Sequence, residues 1–235
     1  MRSLLIAIDG PAGAGKSSVA KALAQRFGLV LLDTGAIYRV LALAAERHGV
    51  SWDDADGLTQ LASQLPIHFV AGEQTATQRV SLAGDDVTGE IRTSRIAQGA
   101  SRVSTHAGVR QALLPLQRRL GASGCVAEGR DMGTVVFPDA PYKFFLTADL
   151  PTRAARRHHE LMEAARAGGQ KPEDVVPSLL ELVRELATRD QRDSTRITAP
   201  LALAPDAVVV DTTSLELDQV VEHLVRAIEP QRLVP

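Results

Sequence analysis

Residues 7–18, AIDGPAGAGKSS, leave this chain few ways to fold. An extended apolar run, SLLIAI (3–8), leads into glycines at 10, 13 and 15, and a helix-forming run, SSVAKALAQRF (17–27), leads out. The spacing G-x-x-x-x-G-K-[ST] is met at Gly10, Gly15, Lys16 and Ser17, in the strand–loop–helix context that gives this pattern meaning. Small residues let the backbone wrap so that successive N–H groups and the start of the helix face one anion, and a polyphosphate fills such a nest. Lys16 is then expected on the terminal phosphates and the Ser17 hydroxyl on Mg²⁺. The bland alternative is an ordinary glycine-rich turn, which seldom carries Lys-Ser at the helix start.

A strand feeding a helix in this way implies more of the same. Further apolar runs, LVLL, CVAEG, YKFFLTA and AVVVD, read as short buried strands. The segments between them, GAIYRVLALAAERHG, VRQALLPLQRRL, TRAARRHHELMEAAR, LLELVRELATRDQR and LELDQVVEHLVRAI, carry apolar residues at helical spacing. The expected fold is therefore α/β, a parallel five-stranded sheet with helices on both faces. Residues 66–104 break the alternation. Two period-2 stretches, IHFVA and QRVSLAG, followed by polar, glycine-punctuated sequence, predict a small antiparallel insertion. The segment ARAGGQKPEDVV, with Gly168 and Gly169, predicts a hinge between two charged helices.

Composition narrows the partners. The 235 residues carry a net charge of only −2, so no overall field draws the chain to nucleic acid or to acidic membranes. One cysteine excludes an intramolecular disulfide; with neither a leader nor a membrane-length apolar run in sight, the expected location is the cytoplasm. Cys125 itself reads as an unreactive buried strand residue. Four of the 26 Lys and Arg are lysine (Lys16, Lys21, Lys143 and Lys171), leaving 22 arginines. Arginine's planar fork suits phosphate, although codon bias accounts for such a total equally well.

Three positions concentrate charge where strands and helices end. Asp33 closes the second strand; Thr34 is expected to cap the next helix, and Tyr38 and Arg39 follow a turn later. Glu128, Arg130 and Asp131 follow the third strand. Arg189, Arg192, Asp193 and Arg196 recur at i, i+3, i+4 and i+7, on one helix face. Any one of these could be a solvated face; three, together with a phosphate loop, point to two anions held side by side. Phosphoryl transfer to a phosphate needs no general base, but it needs neutralising cations and exclusion of water. A lid would exclude water, and Arg153, Arg156 and Arg157 are expected to swing inward from it.

The segments IDGPAGAGKSS, LLDTGAIYRVLALAA, GEIRT, VRQALL, EGRDMGTVVFPDAP and RDQRDSTR together resemble bacterial cytidylate kinases over nearly the whole chain. The resemblance implies transfer of the γ-phosphoryl group of ATP to CMP or dCMP with Mg²⁺, by a monomer with no polymeric nucleic acid or membrane partner. Gly10, Pro11, Ala12, Gly13, Ala14, Gly15, Lys16, Ser17 and Ser18 would bind ATP, and Lys16, Arg130, Arg157 and Arg189 would be catalytic. Thr34, Tyr38, Arg39, Arg130 and Arg189 would hold the monophosphate, Ser101, Arg110 and Asp131 the cytosine edge, Asp193 the sugar, and Arg196 a phosphate. It also implies a nucleoside triphosphatase-type core over 1–33, 106–150 and 198–235, a monophosphate-binding mixed α/β domain over 34–105 and a lid over 151–197. Thr34 stands where many members have serine, Glu128 where aspartate is commoner, and Ser17 where some have glycine.

Other phosphate-loop small-molecule kinases, acting on UMP, AMP or an alcohol, are the nearest rivals, and a slowly hydrolysing nucleotide switch is the rival of another class. The absence of an N-K-x-D guanine reader counts against a GTPase.

Overall fold

The computed structural model describes residues 4–70 and 79–232. Five strands, β1 (Leu5–Asp9), β2 (Val30–Asp33), β6 (Cys125–Glu128), β7 (Tyr142–Thr147) and β8 (Val208–Asp211), form one parallel sheet in the order β2-β6-β1-β7-β8. Each coincides with an apolar run of the sequence. Alternation along β1 sends Ile6 and Ile8 to one face and Ala7 to the other, and helices cover both. On the first face lie α1 (Lys16–Phe27) and α9 (Leu217–Arg232); on the second lie α2 (Thr34–Arg47) and α5 (Ala107–Leu120). Cys125 is fully buried between them, and burial pushes its thiol up to about 12, as an inert strand residue requires.

Register aligns the strand ends. Ile8 and Asp33 both pair with Glu128, so the chain leaves β1, β2 and β6 at one level. Open parallel sheets bind ligands at this carboxyl edge.

Residues 66–104 contain the expected antiparallel unit, β3 (Ile67–Val70), β4 (Arg79–Leu82) and β5 (Asp85–Asp86). Ala71 and Gln78, at the ends of the two period-2 stretches, and Ser3 of the first run lie outside the described residues. The polar remainder is not irregular: Ser94–Val103 is a helix, α4, and a further helix, α3 (Ala55–Ser63), precedes the strands. Helix α4 offers only Ile96, Ala100 and Val103 to the core, too sparse a stripe to stand out in sequence. Its contact with the indole of Trp52 is tight, and a Cβ at Gly99 would lie 2.5 Å from that ring. The apolar core of this segment runs without a break into the second sheet face.

Helix α6 (Leu150–Ala167) and helix α8 (Leu179–Thr195) lie against one another, joined through Gly168, Gly169 and the short α7 (Pro172–Val175). A capping box between Ser178 and Glu181 opens α8.

Gly10 sits at φ 144°, and a Cβ there would lie 1.9 Å from the Leu146 carbonyl oxygen of β7; Gly28, at φ 63° after α1, faces open space. Gly10→Ala is therefore expected to cost about 3 kcal/mol or more and Gly28→Ala only about 1 kcal/mol. Urea unfolding of the two variants checks the difference; equal losses would show that the contact with Leu146 does not matter.

Candidate active site

The loop after β1 is shaped by Gly10, Gly13 and Gly15, all at positive φ, and delivers Lys16 as the first residue of α1. Lys16 is buried and donates to the Pro11 carbonyl at 2.6 Å across the loop. Burial, and then the Arg130 guanidinium, hold its ammonium well below the usual lysine range. Such a group gains from an anion in the nest. Beside it the Ser17 hydroxyl donates to Glu128 Oε2 at 2.9 Å. Burial, and then the Asp33 carboxylate, push Glu128 up to about 7.

Asp33, not Thr34, caps α2: its extended backbone lets the carboxylate accept from the Ala36 amide, while Thr34 is already helical and donates instead to the Glu128 carbonyl at 2.7 Å. The Asp33 carboxylate also holds Arg39 at 2.6 Å.

Beyond β6 the chain turns sharply. Asp9, at the end of β1, accepts the amides of Met132 and Gly133 at 2.8 Å each, and residues Met132–Val136 form a wide π-type turn. Burial raises Asp9 to about 6 despite those bonds. This anchoring brings Arg130 and Asp131 to the sheet edge. Asp131 pairs with Arg110 and lies 3.8 Å from Arg196; Arg110 stands over the Tyr38 ring at 5.4 Å. Arg130 donates to Asp193 Oδ2 at 2.9 Å, and Arg189 Nε is 3.9 Å from the same oxygen.

These groups wall a cavity of about 240 Å³. Facing it are Ala12, Gly13, Gly15, Lys16, Ser17 and Ser18 on one side, with Thr34, Tyr38, Arg39, Arg110, Arg130, Asp131, Arg157, Arg189, Asp193 and Arg196 around the rest. Four nitrogens of that wall, Arg39 Nε, Arg110 Nε, Arg189 Nε and Arg196 Nη2, are buried with no hydrogen-bond partner among the described residues. Arg189 is lowered to about 10, by burial and then by the charges of Arg130, Arg39 and Arg157 with Asp193 opposing. Cationic side chains whose donors are not all used in hydrogen bonds suit oxyanions.

Other expected residues lie elsewhere. Gly10 and Pro11 shape the loop without forming that wall, and Ala14 faces a second cavity of about 580 Å³. Gly13, Gly15, Ser18 and Glu160 are common to both cavities; Val19, Thr152, Arg156, His159, residues 212–217 and Val220 complete the second. Ser101 is not in the wall: its hydroxyl accepts from Arg192 at 2.9 Å, and its helix neighbours Ala97, Ala100 and Ser104 are there instead. Nor do the four charged residues of α8 share one face. Arg196 lies past the helix end in extended backbone, and Arg192 turns to α4.

The lid expectation needs the largest correction. Of the three arginines, only Arg157 faces the first cavity, bonded to Glu160 at 3.2 Å. Arg153 is buried against the phosphate loop, and Arg156 donates to the Thr212 hydroxyl and carbonyl. Wall residues that the sequence reading left out include Glu160, Leu182, Glu185 and Leu186; the i,i+3 spacing of Glu160 from Arg157 was the one available signal.

No cluster of three His, Cys, Asp or Glu able to hold a metal occurs among the described residues. Ser17 and Glu128 nevertheless offer hard oxygen donors beside the nest, which suits Mg²⁺, an ion that keeps waters and phosphate oxygens as its other ligands.

Residues 6–230 match the family model described as cytidylate kinase. The chain is 46% identical over 234 residues to a cytidylate kinase of Azotobacter vinelandii, covering 99% of this chain and 98% of that one. It is 49% identical over 229 residues to a cytidylate kinase of Pseudomonas aeruginosa strain LESB58, covering 97% and 96%. Among solved structures, a gluconokinase from Sinorhizobium meliloti 1021 aligns at TM-score 0.45 and 17% identity over 98% of this chain and 97% of its own.

The Glu128 shift has a consequence for stability. Folding raises its pKa from 4.5 to about 7, so the folded chain binds more protons than the unfolded chain between those values, and stability falls as pH rises through that window. Glu128→Gln keeps an acceptor for Ser17 and removes the titration. Relative to the parent, the variant is expected to gain roughly 3 kcal/mol between about pH 4.5 and pH 8. Urea unfolding at the two pH values reads this; a pH-independent offset would show that Glu128 titrates normally.

Proposed function

Since the chain belongs to the cytidylate kinase family, we propose that the loop side of the cavity holds the donor triphosphate and the arginine side holds the acceptor monophosphate. The enzyme transfers the γ-phosphoryl group of ATP to CMP or dCMP, giving ADP and CDP or dCDP. The observation that carries the site assignment is the set of six arginines, Arg39, Arg110, Arg130, Arg157, Arg189 and Arg196, that line one small cavity together with the loop and Lys16. A nucleotide switch needs no second anion site of this kind.

In this reading the loop amides and Lys16 bind the donor phosphates, while Arg39, Arg130 and Arg189 neutralise the acceptor phosphate and the migrating group. Such groups act before the charge develops and need no reorganisation. The acceptor oxygen is already anionic, so no base is required. Arg157 is the lid arginine nearest to this role, and it must leave Glu160 to reach the phosphates. Mg²⁺, held by Ser17 with the Glu128 carboxylate beside it, would supply charge neutralisation at the donor phosphates. The donor's nucleoside extends into the second cavity. Residues 34–105 serve as the monophosphate-binding part, 151–197 as the lid, and the remainder as the donor-binding core. All these groups come from one chain, so a monomer suffices.

Base choice falls to Asp131 with Arg110 and Tyr38. A carboxylate only accepts hydrogen bonds, so it suits cytosine's exocyclic amine and repels the carbonyl that uracil has there. Arg110 and Arg196 hold Asp131 in place. Asp193 bonds Arg130, so its expected sugar contact would be made by a group that also positions an arginine.

ADP formation from ATP is expected to be strong with CMP or dCMP, weaker with UMP and slight with AMP; equal turnover without any acceptor would sink the two-site reading. Arg189→Met should lower kcat by about 10²-fold or more. Asp131→Asn should raise the CMP KM and narrow the gap between CMP and UMP; an unchanged CMP/UMP ratio would remove Asp131 from base recognition.

A further inference from the structure

Arg153 contacts neither proposed substrate position, yet it is one of the most heavily engaged side chains in the molecule. It comes from α6 and is buried to 6% exposure. Nε donates to the Ala148 carbonyl at 3.0 Å, Nη1 to the Ala12 carbonyl of the phosphate loop at 3.0 Å, and Nη2 meets Asp190 Oδ2 at 2.7 Å. One planar fork thus ties the end of β7, the donor loop and α8 together.

The fit around it is close. A Cβ at Gly13 would lie 3.0 Å from both the Cβ and the carbonyl oxygen of Arg153, so the loop rests directly on α6. Apolar contacts reinforce the same junction: Ala12 of the loop, Ala154 of α6, and Leu182 and Leu186 of α8 form one small cluster. Asp190 has a buried second oxygen with no partner among the described residues, so Arg153 is what holds that carboxylate. Asp190 is the immediate neighbour of Arg189, which lines the cavity.

We propose that Arg153 is a positioning residue that locks the donor loop to the helix carrying Arg189, so that occupancy of either substrate half is transmitted to the other through the Arg153–Asp190 pair. The proposal rests on the two-site reading above. Its physical basis is geometric: a phosphate drawing Arg189 inward moves the C-terminal turns of α8 around Asp190, and the rigid fork passes that displacement to Ala12. Lysine cannot replace it, because a single ammonium on a flexible stem cannot reproduce three nitrogens spread over a rigid fork, each meeting a different partner.

The test compares the parent enzyme with Arg153→Lys, Asp190→Asn and the double variant, each checked by circular dichroism for an intact fold, with ATP and CMP varied separately. Cross-effects are expected. Asp190→Asn, on the acceptor-side helix, should raise the KM for ATP by about fivefold, and Arg153→Lys, which touches the donor loop, should raise the KM for CMP by a similar factor. The double variant should be no worse than the harsher single one. A merely structural fastening would lower the melting temperature and leave these KM values alone. In the unmodified chain, CMP alone should slow amide hydrogen exchange over residues 12–16, a readout that stands even where a variant fails to fold. Effects confined to each residue's own half, multiplicative losses in the double variant, or loop exchange indifferent to CMP would each overturn the proposal. Absence of CMP-dependent ADP formation in the parent enzyme would overturn the two-site reading, and this inference with it.

Discussion

Guanidinium and ammonium groups repel one another, and here Lys16 and six arginines converge on a cavity of about 240 Å³. They stay there because buried and half-buried carboxylates are interleaved among them: Asp33 with Arg39, Asp131 with Arg110, and Asp193 with Arg130. Each pair satisfies part of a guanidinium and leaves another part bare. Bare donors, not full ion pairs, are what an incoming phosphate can use, and the half-satisfied state is costly until it arrives. The lowered pKa values of Lys16 and Arg189 express that cost.

The carboxylates depend in turn on the sheet. Asp9 ends β1 and pins the turn that presents Arg130 and Asp131; Asp33 ends β2 and caps the helix that presents Tyr38 and Arg39. In parallel register these ends lie at one level, so two strand-end aspartates and Glu128 organise most of the cavity. The Thr34 hydroxyl closes the set by donating to the Glu128 carbonyl. Loss of any of these would shift several cations at once, which is why individual residue roles in such a site are strongly non-additive.

The third contributor is the pair α6 and α8. Their arginines divide the work by their partners: Arg153 and Arg156 donate to the backbone of the core, whereas Arg157 and Arg189 line the cavity. Adjacent positions on one helix therefore serve opposite ends of the same machine. A run such as TRAARR hides this division, because the side-chain direction that separates residues 153, 156 and 157 depends on which neighbours each one meets.

The chain's own residues determined the five strands, their parallel pairing, the phosphate loop and the identity of most wall residues. Local physics governs these features: a glycine at φ 144°, a period-2 apolar run and a Lys-Ser at a helix start have few alternatives. Tertiary structure decided what local pattern underdetermines. Helix α4 exists because Ile96, Ala100 and Val103 find a core and Gly99 finds Trp52; Asp33 rather than Thr34 caps α2; Ser101 turns to Arg192; and Arg153 becomes a clamp rather than a lid finger. Each of these depends on a partner far away in sequence, or on a choice between two adjacent capping acceptors. Such contacts are selected by the packing of whole elements, and no window of sequence contains both sides of the bargain.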